Sequence, residues 1–194
     1  MKKLLALAIV ALMAGGAMAQ PGMGLFFSNS DFTSGQTNVN TVGAPFFAYI
    51  VILGVESGVS PDIGGYEVGL QFSDTVFILS VTGPNGWTNF GSNTNHLCGY
   101  QSAVIPVDGA AVLCTLNMLY SGAGLVEVTF GPATPPSIPG HDGPVLAGFA
   151  NPDNLIACGL TSGPTVPGVV ATFNGGGIIA TEATTWTQLK NLFD

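Results

Sequence analysis

The sequence predicts an all-β protein: an antiparallel, jelly-roll-like sandwich of about nine strands, followed by a short C-terminal helix. Three observations carry this prediction. Apolar residues make up 47% of the chain and charged residues only 7%, so the core is large and the polar surface comes from Ser, Thr, Asn, Gln and backbone. The 28 glycines and 13 prolines punctuate the whole length rather than clustering, as many short strands with turns require. Between these breaks, several runs alternate apolar and polar residues with period two.

The runs occur in order. Residues 23–27 are a short first strand. Residues 46–55 are apolar throughout, as expected of a central strand covered on both faces. Residues 66–72 give the cleanest alternation: Tyr66, Val68, Leu70 and Phe72 face one way, Glu67 and Gln71 the other. Residues 76–81 follow a Ser73-Asp74-Thr75 link. Residues 97–105 and 111–120 flank the turn Pro106-Val107-Asp108-Gly109. Residues 125–130 place Glu127 and Thr129 outward, and 145–149, 155–160 and 169–173 complete the set. Ser60-Pro61-Asp62 with Gly64-Gly65, Gly83-Pro84-Asn85-Gly86 and Ser121-Gly122-Ala123-Gly124 demand turns. Residues 131–144 contain five prolines and form a long surface connection, because proline donates no ladder bond. Near the end, Thr184 or Thr185 caps a segment in which Trp186, Leu189, Leu192 and Phe193 recur at helical spacing.

The first nineteen residues have a separate role. Lys2 and Lys3 precede an apolar run over 4–13, and Ala17-Met18-Ala19 offers small residues for cleavage before Gln20. This is the pattern of a secretory signal peptide, too short to span a bilayer. The expected organisation is a signal peptide over 1–19, a β-sandwich domain over 20–180 and a helical tail over 181–194. Processing would leave Lys190 as the single cation against eleven acidic residues, a net charge of about −10. A secreted, periplasmic or cell-surface location follows. Nucleic acid is a poor partner for such a chain, since phosphate neutralisation needs Lys and Arg. Anionic membrane surfaces are disfavoured for the same reason.

Three cysteines, Cys98, Cys114 and Cys158, allow a disulfide after export, with one thiol left over. A tight hairpin around Val107-Asp108-Gly109-Ala110 would set Cys98 opposite Leu119, so the pairing stays open, as does the reading of all three as buried apolar residues.

No catalytic set is expected. His96 and His141 are the only histidines, His141 lies in the proline-rich connection, and no Gly-x-Ser-x-Gly elbow is present. Glu56 and Glu67 are acid/base candidates by residue type alone, and Glu67 is expected on a solvated face. His96 and Cys98 share a strand face, and Cys114, Cys158 or His141 could extend them, but the spacing matches no standard zinc pattern; no metal is expected. Calcium is the one cofactor that export and acidity favour, through Asn29, Asp31, Asp62, Asp74, Asp153 and Asn154, although no calcium-loop spacing is present. For ligand binding, the suggestive segment is Trp87, Asn89, Phe90 and Tyr100, with Asn85, Asn93 and Asn95 nearby: aromatic rings for a sugar face and amides for hydroxyls. The alternative is that Trp87 plugs the end of the sandwich.

Three stretches carry a family resemblance: Phe46-Phe47-Ala48-Tyr49-Ile50-Val51, then Ile63-Gly64-Gly65-Tyr66-Glu67-Val68-Gly69-Leu70-Gln71-Phe72, then Ile78-Leu79-Ser80-Val81. Together they resemble the opening of cohesin-type modules. The closing part includes Val170-Ala171-Thr172-Phe173-Asn174-Gly175 and Trp186-Thr187-Gln188-Leu189-Lys190-Asn191-Leu192-Phe193. It is similar to a group of uncharacterised exported bacterial proteins that often end Trp-Gly-x-Ile-Lys-x-Leu-Tyr. Thr187, Leu189 and Phe193 replace the Gly, Ile and Tyr of that pattern. The resemblance implies a jelly-roll sandwich, of cohesin or carbohydrate-binding type, that recognises an extracellular protein or polysaccharide without catalysis. It transfers no binding residue, because the match lies in core pattern. Low charge and abundant Gly, Ser, Thr and Asn also suit a structural surface or extracellular-matrix subunit assembled through edges and flat faces.

Overall fold

The computed structural model describes residues 20–33, 35, 43–55, 62–161 and 168–174. The expected signal peptide, the C-terminal helix and Glu56 lie outside the described residues. Among the described residues there are twelve strands: β1 (Gly22–Phe26), β2 (Pro45–Leu53), β3 (Ile63–Phe72), β4 (Phe77–Thr82), β5 (Thr88–Asn89), β6 (Asn95–Val104), β7 (Ala110–Leu119), β8 (Val126–Gly131), β9 (Val145–Gly148), β10 (Leu155–Ala157), β11 (Gly159–Leu160) and β12 (Val169–Phe173). They form two sheets. The smaller runs β11-β1-β2-β7-β4, and the larger runs β10-β9-β3-β6-β5, with β8 also on β3 and β12 on β8.

The sandwich is thus observed, and the expected strand count of about nine is exceeded for two reasons. The run over 155–160 breaks at Cys158 into β10 and β11, which join different sheets. The two-residue β5 is too short to give a periodicity signal. Pairing is antiparallel throughout except between β1 and β11, which run parallel.

Alternation builds the core. Met23 and Leu25 of β1, Ile50 and Ile52 of β2, and Leu116 and Met118 of β7 meet Tyr66, Val68 and Leu70 of β3 and Val126 and Val128 of β8. Burying each such side chain is worth about 1.5–3 kcal/mol relative to exposure. The expectation that β2 is covered on both faces holds only in part, since Phe47 is 56% exposed.

Two turns follow from left-handed residues. Asn85 and Gly86 (φ 54° and 69°) and Asp108 and Gly109 (φ 51° and 77°) supply paired positive φ values, the requirement of a two-residue type I′ turn. The second turn does not make a hairpin of its flanking strands, which corrects the expected geometry. β6 belongs to the larger sheet and β7 to the smaller, so the chain crosses the sandwich there. Cys98 therefore does not lie opposite Leu119; Cys98 pairs in register with Tyr66, and Leu119 with Pro45 and Phe77.

β3 organises the larger sheet. One edge pairs with β6. The other carries β9 along residues 63–67 and β8 along residues 69–72, end to end. The chain leaves this edge after Gly131 and returns at Val145. The prolines between cannot continue a ladder, so residues 132–144 arch over the outer face of β3 before the chain re-enters.

Bulges place specific groups. β7 is one residue longer than β2 between Val112 and Cys114, which leaves Leu113 without a ladder partner on that side. The Leu113 carbonyl is buried and accepts a hydrogen bond from Tyr100 Oη at 2.8 Å. Tyr100 reaches it from the opposite sheet, so a bulge in one sheet is satisfied by a side chain from the other.

Candidate functional site

The outer face of the larger sheet carries a groove of about 240 Å³, lined by Glu67, Phe90, Leu97, Gly99, Ser137, Val145, Ala147 and Leu155 among others. Its wall is Phe90, 77% exposed. A large aromatic left in water at the lip of an apolar groove is the informative feature, because scattered small apolar exposure is ordinary.

The sequence builds this display from Asn89. Its Oδ1 accepts from Gly91 N at 2.9 Å and Leu97 N at 3.0 Å, and its Nδ2 donates to Ser92 O at 2.8 Å. Phe90 N donates to Leu97 O at 2.9 Å. The short hairpin between β5 and β6 is thereby filled by one amide, and Phe90 is projected from a fixed backbone. Beneath the ring lies Gly99: a Cβ there would stand 3.8 Å from the Phe90 ring edge. The floor of the groove at that point is bare backbone.

The opposite side is the proline-rich arch, and here an expectation is corrected. Glu67 points away from the core, as alternation requires, but is 6% exposed rather than solvated. Its carboxylate accepts from Ser137 N at 2.9 Å and Ser137 Oγ at 2.7 Å. The arch covers the strand face and fastens to it through this carboxylate. A second fastening joins Asn95 and Thr134: Asn95 Nδ2 donates to Thr134 O and Thr134 N donates to Asn95 Oδ1, both at 2.8 Å. No periodic signal in the sequence marks a loop that returns onto β3. The density of prolines, which limits the loop's own freedom, was the only hint. His141 serves the arch itself, its Nε2–H donating to Pro144 O at 3.1 Å.

The four residues singled out as ligand-binding separate into different roles. Phe90 lines the groove. Asn89 shapes it from behind, with its amide committed to the hairpin. Tyr100 is a correction: its ring is buried and its hydroxyl is spent on Leu113, so it offers no surface to a ligand. Burial also drives its pKa far above the usual tyrosine range. Trp87 is half-buried and packs against the core, its ring 6.5 Å from that of His96. Its indole N–H is buried beside the Cys98 thiol and pairs with no oxygen or nitrogen acceptor. It covers the end of the sandwich over His96.

Behind the groove lies a buried polar cluster. His96 is fully buried. Asn93 O, which can only accept, stands 3.0 Å from His96 Nε2, so that nitrogen carries the proton. Nδ1 is then the acceptor for Tyr66 Oη at 2.9 Å. Burial lowers the His96 pKa to about 4 and raises that of Tyr66, so both are neutral. Both ring nitrogens are engaged, and Cys114 Sγ is 3.9 Å from Nδ1. Among the described residues no group of three or more His, Cys, Asp or Glu is placed to hold a metal. Two of the oxygen donors weighed for calcium are held in local contacts: Asp31 Oδ1 accepts from Thr33 N and Oγ1, and Asp74 accepts from Tyr120 Oη at 2.7 Å.

The three cysteines are free and buried, which corrects the option of a disulfide among them. Cys98 and Cys114 come from opposite sheets and both approach the Tyr66 hydroxyl, while Cys158 lies between β10 and β11 with Sγ 3.5 Å from Ile156 O. Burial pushes the thiol pKa up to about 11 for Cys98 and to about 12 for Cys114 and Cys158, so none is a nucleophile at neutral pH.

No protein-family model matches the chain, and comparison with curated proteins returns no significant match. Comparison with solved structures returns cohesins. The chain is similar to the cohesin module of a Clostridium perfringens family 33 glycoside hydrolase, with 10% identity, TM-score 0.48, and 73% of this chain and 92% of that one covered. It is similar to a non-cellulosomal cohesin from the archaeon Archaeoglobus fulgidus, with 10% identity, TM-score 0.46, and coverage of 80% and 90%. A type II cohesin domain from the cellulosome of Acetivibrio cellulolyticus gives 15% identity, TM-score 0.44, and coverage of 80% and 95%. The likeness is one of fold and transfers no residue, ligand or partner.

Proposed function

We propose that this chain is an exported, non-catalytic recognition module that takes a protein partner on the outer face of its larger sheet. The observation that carries this reading is Phe90, exposed over the bare backbone of Gly99 at the lip of an apolar groove and held there by the Asn89 amide. Such an arrangement suits an apolar anchor from a partner, which would stack on the ring and seat on the glycine floor. A protein fits better than a sugar. Asn89 spends its amide oxygen and one of its two N–H groups on the hairpin, Tyr100 is in the core, and Phe90 brings no hydroxyl of its own.

Charge narrows the partner. Every ionisable side chain among the described residues that is charged at neutral pH is acidic, since all three Lys and Arg residues lie outside them. A basic partner segment would be steered toward the module, and steering weakens with salt.

The test compares the wild type with Phe90→Ala and Gly99→Val in binding to the exported proteins of the source cell, followed by titration with the partner so identified. Either substitution is expected to weaken binding at least about thirtyfold, the effect of losing an interface anchor worth about 2 kcal/mol. Equal affinity for all three proteins, or binding to a polysaccharide that both variants retain, would overturn the reading.

A further inference from the structure

The opposite face of the molecule carries a second apolar surface that the groove does not explain. On the smaller sheet, Pro45, Leu119 and Phe77 are register partners in one row, and Phe47, Asn117 and Ser80 in the next. Partners across a sheet share a face, and this face is the outer one, because Phe46, Ala48 and Met118 point into the core. Leu79 is the extra residue of the bulge between Ile78 and Ser80. Phe47, Phe77 and Leu79 are 56%, 52% and 51% exposed. Between them, Asn117 Oδ1 is buried without a hydrogen-bond partner. No charged residue occurs in β2, β4 or β7.

The end of β12 leads to this surface. Phe173 packs against Phe46 at 5.0 Å and Tyr120 at 5.8 Å. Asn174 takes a left-handed conformation, with φ 56°, and its Nδ2 donates to Gly122 O and Gly124 O. Those glycines belong to the loop that directly follows β7, whose last residue, Leu119, sits between Pro45 and Phe77. The chain therefore leaves the described structure one loop away from the patch. The sequence then continues with Gly175-Gly176-Gly177, a composition that permits a reversal, and twenty residues remain to Asp194. Eleven residues lie between Asn174 and Trp186, and these twelve Cα steps span up to about 40 Å when extended, enough to reach any part of this face.

We propose that the C-terminal segment 184–193 is the occupant of this face, laying Trp186, Leu189, Leu192 and Phe193 across Phe47, Phe77 and Leu79. The chemistry of the two surfaces agrees. Four large apolar residues at helical spacing need an apolar bed, and the patch offers one. Lys190, the single cation after residue 3, stands within the stripe. The Asp74 carboxylate, bonded to Tyr120 Oη at 2.7 Å, marks the acidic end of the face. This assignment is independent of the groove on the larger sheet, and leaves that face open for a partner.

Hydroxyl-radical footprinting of the full chain tests it, with three proteins: wild type, Phe47→Asp with Phe77→Asp, and Trp186→Ala. In wild type, Trp186, Phe47 and Phe77 should oxidise slowly, as covered residues do. The double variant should oxidise severalfold faster at Trp186, with Trp87 as the internal reference. Trp186→Ala should oxidise severalfold faster at Phe47 and Phe77. If the double variant does not fold, Trp186→Ala, which alters no residue of the sandwich, decides alone. Rapid oxidation of Trp186 in wild type would overturn the proposal. So would slow oxidation of Phe77 that survives Trp186→Ala. Protection of Phe77 that fades on dilution would show a second copy of the chain on this face instead.

Discussion

Acid should destabilise this protein before its carboxylates begin to protonate, and His96 should be the cause. The imidazole is fully buried, donates to Asn93 O and accepts from Tyr66 Oη. Burial holds its pKa near 4, below the ordinary 6.5. Between those values the unfolded chain carries a proton at His96 that the folded chain excludes. Stability therefore rises with pH across that window and falls as pH drops from 6.5 toward 4. The interval, at about 1.4 kcal/mol per pH unit, amounts to about 3 kcal/mol. For a domain of this size that lowers the melting temperature by roughly 6–12 °C. The surrounding groups do not compete: Tyr66, Tyr100, Cys98 and Cys114 all have raised pKa values. Asp31 and Asp74 have lowered ones, through hydrogen bonds from Thr33 and Tyr120 respectively. Their contribution is present above the ordinary carboxylate value and is lost only as pH falls through their lowered ones, beneath the histidine window. The assay is calorimetry from pH 7 to pH 4 on wild type and His96→Gln. The variant should be less stable at pH 7 yet should lose most of the slope. A wild-type melting temperature that stays level from pH 7 to pH 4.5, or an identical slope in the variant, would refute the reasoning.

Other outcomes follow from single contacts. Alkylation of the native protein should label no cysteine, and alkylation after denaturation without reductant should label three; one labelled thiol would reveal a disulfide. Glu67→Ala should cost about 1.5–3 kcal/mol, the value of hydrogen bonds to a charged acceptor, and should expose the 132–144 arch to proteolysis; an arch as resistant as in wild type would show that Ser137 is held by other contacts. Tyr100→Phe leaves the buried Leu113 carbonyl unpaired and should cost about 1–3 kcal/mol while partner affinity is unchanged; a loss of affinity without loss of stability would return Tyr100 to the binding surface.

The sandwich was legible because alternation and turn chemistry are local. Residues 66–72 announce their inward and outward faces, and Asn85-Gly86 and Asp108-Gly109 announce their turns. What could not be read was non-local. Whether β6 and β7 form a hairpin or cross between sheets depends on which strand each finds as a neighbour, and the type I′ turn between them is compatible with both. The sequence marks Glu67 as outward, which is correct, but outward means solvated only if nothing returns to cover it. The proline-rich arch does return, because β8 and β9 share one edge of β3 and the chain between them must pass over that face. Residue type alone marks Phe90 as a candidate. It marks Tyr100 equally, yet the Tyr100 hydroxyl is taken by the carbonyl that a bulge in the opposite sheet leaves unpaired. Asn89, a ligand contact by residue type, is the scaffold of the hairpin, a role its Asn-Phe-Gly-Ser context allows but does not distinguish.

The central claim is that a protein partner occupies the outer face of the larger sheet. Hydrogen-exchange mapping of the full chain, with and without its bound partner, tests that claim most directly. Exchange should slow over residues 88–99 and 145–155, around Phe90, Gly99 and Leu155, while the smaller sheet keeps its rates. Slowing confined to the smaller sheet, over residues 45–53 and 76–82, with no change around Phe90, would contradict it.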